Sequence, residues 1–206
     1  MKIKNCYNKG NIEGGYMIGG IIGHGRQGLQ MENCYNIGNI IGKKEGDFGG
    51  LVGKLYYGGP STNIIKCYNT GKIQIKDGAA VGGILGNSIA ENVFITECNN
   101  FGIIDVESSR HSYIGGILGS GNKAIINKCT NNANIHCKSN GAYVAGIYAE
   151  GRNSTVSNCI NKGNIIANCK SKEEFMEIGG IAAGHANITN CSNNGTIDVQ
   201  GNLRKL

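Results

Sequence analysis

The sequence lacks the large aromatic side chains on which most globular cores depend: its 206 residues include no tryptophan and only four phenylalanines. A chain with so few of them has to bury many aliphatic side chains in a regular array instead. Isoleucine (30 residues), asparagine (28) and glycine (35) dominate the composition. The length is that of one domain, so we expect residues 1–206 to form a single folded unit.

The sequence also lacks clustered charge and long apolar runs. Its 20 basic residues outnumber its 14 acidic ones, but they are scattered singly, whereas nucleic-acid-binding domains concentrate them. No stretch reaches the ~18 apolar residues of a membrane-spanning helix. The first residues have no apolar signal-peptide core, so an exported protein would need a leader that this chain does not contain. The sequence therefore predicts neither a nucleic-acid partner nor a membrane span.

Seven of the nine cysteines recur along the chain with a spacing of roughly 31 residues, which indicates about six and a half copies of one repeat. Each of these cysteines follows an apolar residue by three positions and precedes an asparagine by two positions and an isoleucine by six. The cysteine column is Cys6, Cys34, Cys67, Cys98, Cys129, Cys159 and Cys191. The asparagine column is Asn8, Asn36, Asn69, Asn100, Asn131, Asn161 and Asn193. The isoleucine column is Ile12, Ile40, Ile73, Ile104, Ile135, Ile165 and Ile197.

A glycine-rich block follows in the first six repeats, as in MIGGIIG (17–23), VGGILG (81–86) and IGGILG (114–119). Each repeat thus offers three short β-prone segments between Gly and Asn turn residues, too short and too Gly-rich for helices. This pattern predicts an all-β fold, a right-handed parallel β-helix that forms a three-sided β-solenoid. We expect the isoleucines to stack inward in register and the Gly pair to allow a tight corner. The asparagines tolerate left-handed backbone and can hydrogen-bond along the stack.

The GGIIG, GGLVG and GGILG blocks, preceded by Cys-x-Asn-x-Gly-x-Ile, resemble the GLUG repeats (Gly-Leu-any hydrophobic-Gly) of large bacterial surface proteins. The resemblance runs from Cys6 to about Val199, and only AGIYA and GGIAA depart from it by ending in Ala. GLUG repeats are held to form β-solenoid stalks, and they occur in adhesins and beside the protease domains of secreted peptidases. The resemblance therefore implies a bacterial cell-surface or secreted protein.

The cysteines predict neither a metal site nor a cofactor, because no Cys-x-x-Cys pair or similar ligand cluster occurs. Stacked in-register cysteines point their Cβ atoms the same way, which suits a disulfide poorly. We therefore expect a ladder of buried, reduced thiols. Cys137 lies outside the column, and we expect it to fill an inward position that Ile75, Val106 or Val199 holds in other repeats.

The acidic residues are not arranged as a catalytic pair would require. Three-sided β-helices include enzymes that cleave polysaccharides with paired carboxylates, which would occupy one column in adjacent coils. Asp105 and Asp198 share a column but lie three coils apart, and Glu173, Glu174 and Glu177 cluster within one loop. We therefore expect no enzymatic activity, with a carbohydrate-active β-helix enzyme, a lyase or a hydrolase, as the alternative.

One surface feature indicates a ligand-binding site. Directly after the first three column cysteines stand Tyr7, Tyr35 and Tyr68, and Tyr56 and Tyr57 lie in the loop before the third. If the cysteines point inward, these tyrosines point outward, where an aromatic strip can stack on sugar rings or anchor a protein. The alternative is a structural ladder in which the tyrosines pack on one another.

The sequence as a whole predicts a non-enzymatic stalk or adhesive passenger of an extracellular or surface protein. Its partner would be a glycan or protein of a host or of the cell surface. The chain opens and closes on repeat strands with no polar cap, so we expect a segment of a longer array or a module that associates end to end. A self-assembling filament module is therefore a third alternative.

Overall fold

The computed structural model describes residues 1–57, 59–171 and 175–201, which form thirty short β-strands and no helix. The strands stack coil upon coil in parallel sheets, with about six turns of roughly 31 residues. The predicted parallel β-solenoid is therefore confirmed. Over the described ranges, no helix has the length and apolarity that a membrane crossing requires.

The first predicted segment of each repeat contributes to two sheets of seven strands each, because it bends just before the column cysteine. Sheet A contains Lys2–Lys4, Gln30–Glu32, Thr62–Ile65, Val93–Thr96, Ala124–Asn127, Ser154–Ser157 and Ala186–Thr189. Sheet B contains Tyr7–Asn8, Tyr35–Asn36, Tyr68–Asn69, Asn99–Asn100, Thr130–Asn131, Ile160–Asn161 and Ser192–Asn193.

The second and third segments form sheets C and D. In sheet C, two long strands, Ile12–Gly19 and Ile40–Gly49, span two columns that are separate in later coils. The first of these columns is Ile73–Lys76, Ile104–Glu107, Ile135–Ser139, Ile165–Cys169 and Ile197–Gly201, and the second is Ala80–Gly82, His111–Gly115, Gly141–Ala145 and Met176–Gly179. Sheet D contains Ile22–Arg26, Val52–Tyr56, Leu85–Ser88, Leu118–Gly121 and Tyr148–Glu150.

The bend between sheets A and B places one residue per coil in the left-handed region of the backbone. This residue directly precedes the column cysteine, with φ between 52° and 56° in all seven coils. Asparagine, which adopts this conformation readily, occupies four of these positions. Lysine or glutamate occupies the others, so the whole set is Asn5, Asn33, Lys66, Glu97, Lys128, Asn158 and Asn190. The asparagines after the cysteines lie instead in sheet B, so their predicted role in a left-handed turn is wrong.

The asparagine column confirms the other part of its prediction, because its amides form a continuous ladder. The Asn69 Nδ2 donates to Asn100 Oδ1 at 3.0 Å and also to the Gly71 carbonyl oxygen at 2.9 Å. The same two hydrogen bonds recur from Asn8 to Asn161, and Asn193 makes the second of them. Both amide protons are thus satisfied in a buried position, where an unsatisfied amide would be destabilising.

The ladder packs against the middle glycine of each glycine-rich block. A Cβ on Gly83 would lie 2.5 Å from Asn100 Cγ and closer still to the Gly116 carbonyl oxygen. The same obstruction by asparagine occurs in every block, at Gly20, Gly50, Gly83, Gly116, Gly146 and Gly180. The first and last positions of the block vary to Ala145, Ala149 and Ala183. Glycine occupies the middle position in all six blocks, where a side chain would have to displace the asparagine and, in the first five blocks, a backbone carbonyl as well.

This contact divides the core into two lobes. One lobe lies between sheets A and D and contains the cysteine column with Ile64, Ile95 and Leu85. The other lies within sheet C and contains the isoleucine column with Phe48 and Val81. The solenoid is therefore pinched at the Asn–Gly contact, and each lobe is narrow enough to be filled by aliphatic side chains.

The isoleucine column stacks in register through all seven coils, as predicted. Its five central members, Ile40, Ile73, Ile104, Ile135 and Ile165, are fully buried. Ile12 and Ile197, in the first and last coils of the chain, are partly exposed. The five central side chains form an unbroken aliphatic spine.

The steric argument predicts that Gly83→Ala lowers the free energy of unfolding by about 3 kcal/mol, because the new methyl group has to displace Asn100 or the Gly116 carbonyl. Gly121→Ala is the matched control. Its Cβ would approach Ser88 Cβ at 3.3 Å, so we expect a loss within about 1 kcal/mol. Guanidinium unfolding of both variants measures the difference, and equal losses would contradict the proposed role of the contact.

Candidate functional site

The three tyrosines after the first column cysteines form a stack along sheet B. The Tyr7 and Tyr35 ring centroids lie 5.2 Å apart at 10°, and those of Tyr35 and Tyr68 lie 4.9 Å apart at 4°. Each ring therefore covers a face of its neighbour, and Tyr35 has both faces covered. A ligand can reach the edges of these rings, while the stacking itself favours the structural alternative.

The other two predicted site residues lie apart from this stack. Tyr56 ends a strand of sheet D, where its ring lies 4.6 Å from that of His24 and 5.3 Å from Lys54 Nζ. Tyr57 follows it and is 63% exposed. Within the described part of the chain, no ring contact joins Tyr56 or Tyr57 to the stack. The five predicted tyrosines therefore belong to two different faces of the solenoid.

A second aromatic cluster, which the sequence did not reveal, lies on sheet C in coils four to six. Tyr113 and Tyr143 are register partners and stack at 5.6 Å and 20°. The His111 ring lies 5.4 Å from each of them and 5.7 Å from the Phe175 ring. Burial and the nearby Glu177 carboxylate raise the pKa of Tyr143. Only Tyr113 and Tyr143 share a column, so periodicity gives no signal for the other two members.

A polar cluster links sheets C and D in the N-terminal half. Lys54 Nζ lies 2.7 Å from Asp47 Oδ2, and Asn87 Nδ2 donates to Asp47 Oδ1 at 3.1 Å. Asp47 is only 6% exposed, so its carboxylate needs both partners to offset the loss of hydration. We interpret this cluster as a structural link, since all of its charged groups are engaged with one another.

Two acidic residues in the central coils of sheet C pair with lysines. Asp105 Oδ2 lies 2.9 Å from Lys72 Nζ, and Glu107 Oε1 lies 3.1 Å from Lys170 Nζ. The Lys170 hydrogen bond lowers the pKa of Glu107, whereas a glycosidase acid needs a raised one. The predicted cluster of acidic loop residues is only partly visible, because Glu173 and Glu174 lie outside the described residues. No group of three or more potential metal ligands occurs in the described ranges.

The cysteine column forms the buried ladder that the sequence predicts. Cys34, Cys67, Cys98, Cys129 and Cys159 are fully buried, Cys191 is partly exposed, and Cys6 is exposed. Four of the six successive pairs are linked by a weak hydrogen bond from backbone N–H to sulfur, such as Cys98 N to Cys129 Sγ at 3.4 Å. Cys137 pairs in register with Val106, so it fills the predicted inward position. Burial raises the pKa of Cys98 and raises that of Cys137 to about 11.

Comparison with known proteins adds support for the fold. No family model matches the chain, and no curated protein matches it. Among solved structures, the chain is similar to the crystal structure of a candidate immunoglobulin A1 protease from Bacteroides ovatus. The TM-score is 0.58 with 19% identity, over 100% of this chain and 61% of that one. The chain thus spans less than two thirds of its neighbour, and the likeness shows a common β-solenoid fold.

The stacking geometry predicts that Tyr35→Ser lowers the free energy of unfolding by about 1–2 kcal/mol, because the central ring loses two stacked partners. Tyr57→Ser removes an exposed ring and should change it by less than about 0.5 kcal/mol. Thermal melts of Tyr35→Ser, Tyr68→Ser and Tyr57→Ser measure both effects. Unchanged stability of the first two, together with lost binding in a ligand screen, would show that the strip is a binding surface.

The thiol ladder predicts slow chemical modification, because burial in the core keeps a labelling reagent away from the sulfur atoms. In the native protein we expect rapid labelling of Cys6 and slower labelling of Cys191, with the other seven cysteines reacting only after denaturation. Thiol counting by mass spectrometry with and without guanidinium measures this difference. Rapid native labelling of six or more cysteines would show that the column faces solvent.

Proposed function

We propose that this chain is a non-enzymatic segment of a bacterial surface or secreted protein and serves as a rigid stalk or adhesive passenger. The observation that carries the proposal is the continuous amide ladder from Asn8 to Asn193. It ties every coil to the next at the contact between the asparagines and the middle glycines. Such a ladder resists bending and local opening, which is what a spacer requires.

The resemblance to GLUG repeats supports a bacterial surface or secreted location, since those repeats occur in adhesins and secreted peptidases. The similarity to a candidate immunoglobulin A1 protease supports the solenoid fold. Because the chain spans 61% of that protein, the solenoid can accompany an activity that resides elsewhere. We therefore propose that the solenoid positions or presents a partner domain.

The carbohydrate-active enzyme is the second candidate, favoured by the outward carboxylates Asp105 and Glu107 on sheet C. Both are neutralised by lysines, and the lowered pKa of Glu107 opposes its use as a general acid. The filament module is the third candidate. It is favoured by exposed apolar side chains in the first and last coils, such as Met1 and Ile188.

Small-angle X-ray scattering and limited proteolysis test the stalk. We expect one rigid particle, roughly 30 Å long for six coils at the β-stacking distance, with cleavage confined to the loops. In parallel, the protein is incubated with acidic polysaccharides and with immunoglobulin A1. A flexible scattering profile would exclude the stalk, product release would identify an enzyme, and concentration-dependent growth of the particle would favour the filament.

A further inference from the structure

We propose that the solenoid binds a neutral oligosaccharide in a depression beside Tyr143, on the outer surface of coils five and six. The proposal deepens the adhesive part of the proposed function and does not depend on the stalk. It places the ligand at the second aromatic cluster, away from the Tyr7–Tyr35–Tyr68 stack.

The depression arises from a change in loop length. In coil five, the segment that passes around the end of sheet D extends from Ile147 to Ser154. The equivalent segment of coil six extends only from Ile181 to Ala186. The two pairs are aligned, because Ile147 N donates to the Ile181 carbonyl and Ser154 is the register partner of Ala186. Coil six is therefore two residues shorter here, and its loop leaves the surface of coil five uncovered.

The walls of the depression carry the polar groups of a saccharide site. It measures about 430 Å³ and is lined by Tyr143, Glu150, Arg152, Asn153, Gly184 and His185. An adjoining depression of about 390 Å³ shares Asn153, Gly184 and His185 and continues toward Asn187. Each volume falls within the range of small-molecule sites. Together they offer room for more than one sugar residue.

The aromatic member of the site is held in place by its neighbours. Tyr113 stacks on Tyr143 at 5.6 Å, and Phe175 meets it edge-on at 6.2 Å and 86°. Tyr113 covers one face of Tyr143, and Glu177 is the register partner of Tyr143 in the next coil, so the part of the ring that lines the depression is left for a ligand. A ring that is already fixed loses little conformational entropy on binding, which favours affinity.

The polar members are also anchored. Arg152 N donates to Asn122 Oδ1 at 2.8 Å, and the Arg152 carbonyl accepts from Lys123 N at 2.9 Å. The backbone of Asn153 is left-handed, with φ of 57°, which turns the chain at the rim. The side chains of Arg152, Asn153 and His185 are exposed and remain available to a ligand.

These features select the chemical class of the ligand. The apolar C–H face of a pyranose packs on an aromatic ring, while its hydroxyls both donate and accept hydrogen bonds. Glu150 accepts, Arg152 donates, and Asn153 does both. The carboxylates of Glu150 and the nearby Glu177 and the guanidinium of Arg152 place charges of both signs around Tyr143, which favours a neutral sugar over a strongly acidic or basic one.

The test uses the full chain on an array of neutral, acidic and amino-containing oligosaccharides, followed by calorimetry on the neutral sugars it retains. We expect Tyr143→Leu to weaken binding about tenfold and Arg152→Ala to weaken it several-fold. Arg110→Ala, an exposed arginine outside the depression, is the matched control and should bind as the wild type does. Tyr68→Leu tests the tyrosine stack in the same assay. Thermal melts check folding, and Arg152→Ala keeps the test valid if Tyr143→Leu is destabilised.

Three outcomes would overturn the proposal. The wild-type chain could retain no neutral oligosaccharide, which would leave the stalk intact if scattering still shows a rigid particle. The Tyr143 and Arg152 variants could bind as well as the wild type, which would place the sugar elsewhere. Tyr68→Leu could abolish binding while Arg152→Ala does not, which would assign the ligand to the tyrosine stack.

Discussion

The fold depends on one interaction, the contact between the asparagine ladder and the middle glycines. Each amide donates one hydrogen bond to the next coil and one to the carbonyl two residues on, so a row of buried polar groups is fully satisfied. A chain of such bonds polarises along its length and gains from cooperativity. The glycine opposite each amide allows the two sides of the coil to approach, and any side chain there would meet Asn Cγ.

The pinch explains the unusual composition. Because the contact divides the interior into two narrow lobes, the side chains in each lobe have to span only a short distance between the facing sheets. Isoleucine, valine, leucine and cysteine then fill each lobe, with few large rings such as Phe48 and Tyr148. Tyr148 is instructive, because it takes a position held elsewhere by Leu85 or Leu118 and needs Gly121 and Ser154 as partners for its hydroxyl. Because the coils stack in register, the same packing arrangement recurs from coil to coil.

Because the stacked columns in the interior hold the coils together, the loops on the outer surface can differ between coils. The loops between sheets D and A differ in length between coils, and these differences create both the rim of the depression and the placement of Arg152 and His185. Loops carried on a rigid scaffold are where binding residues concentrate in many folds. On the outer face of sheet C, Asp105 and Glu107 are instead engaged with lysines.

The sequence alone determined the solenoid. When each repeat forms one coil, residues of the same column become neighbours in adjacent coils. The inward isoleucines, the buried thiols and the position of Cys137 all follow from spacing. Spacing did not locate the bend before the cysteine, since Lys66, Glu97 and Lys128 give no sign of left-handed backbone. Spacing also did not predict the contact between His111 and Phe175, because the loops that carry the chain to these residues differ in length. Nor did it predict the hydrogen bond between Asp47 and Asn87, which lie in different sheets on opposite sides of a bend. Such contacts depend on how far each loop carries the chain across the surface, which only the tertiary structure decides.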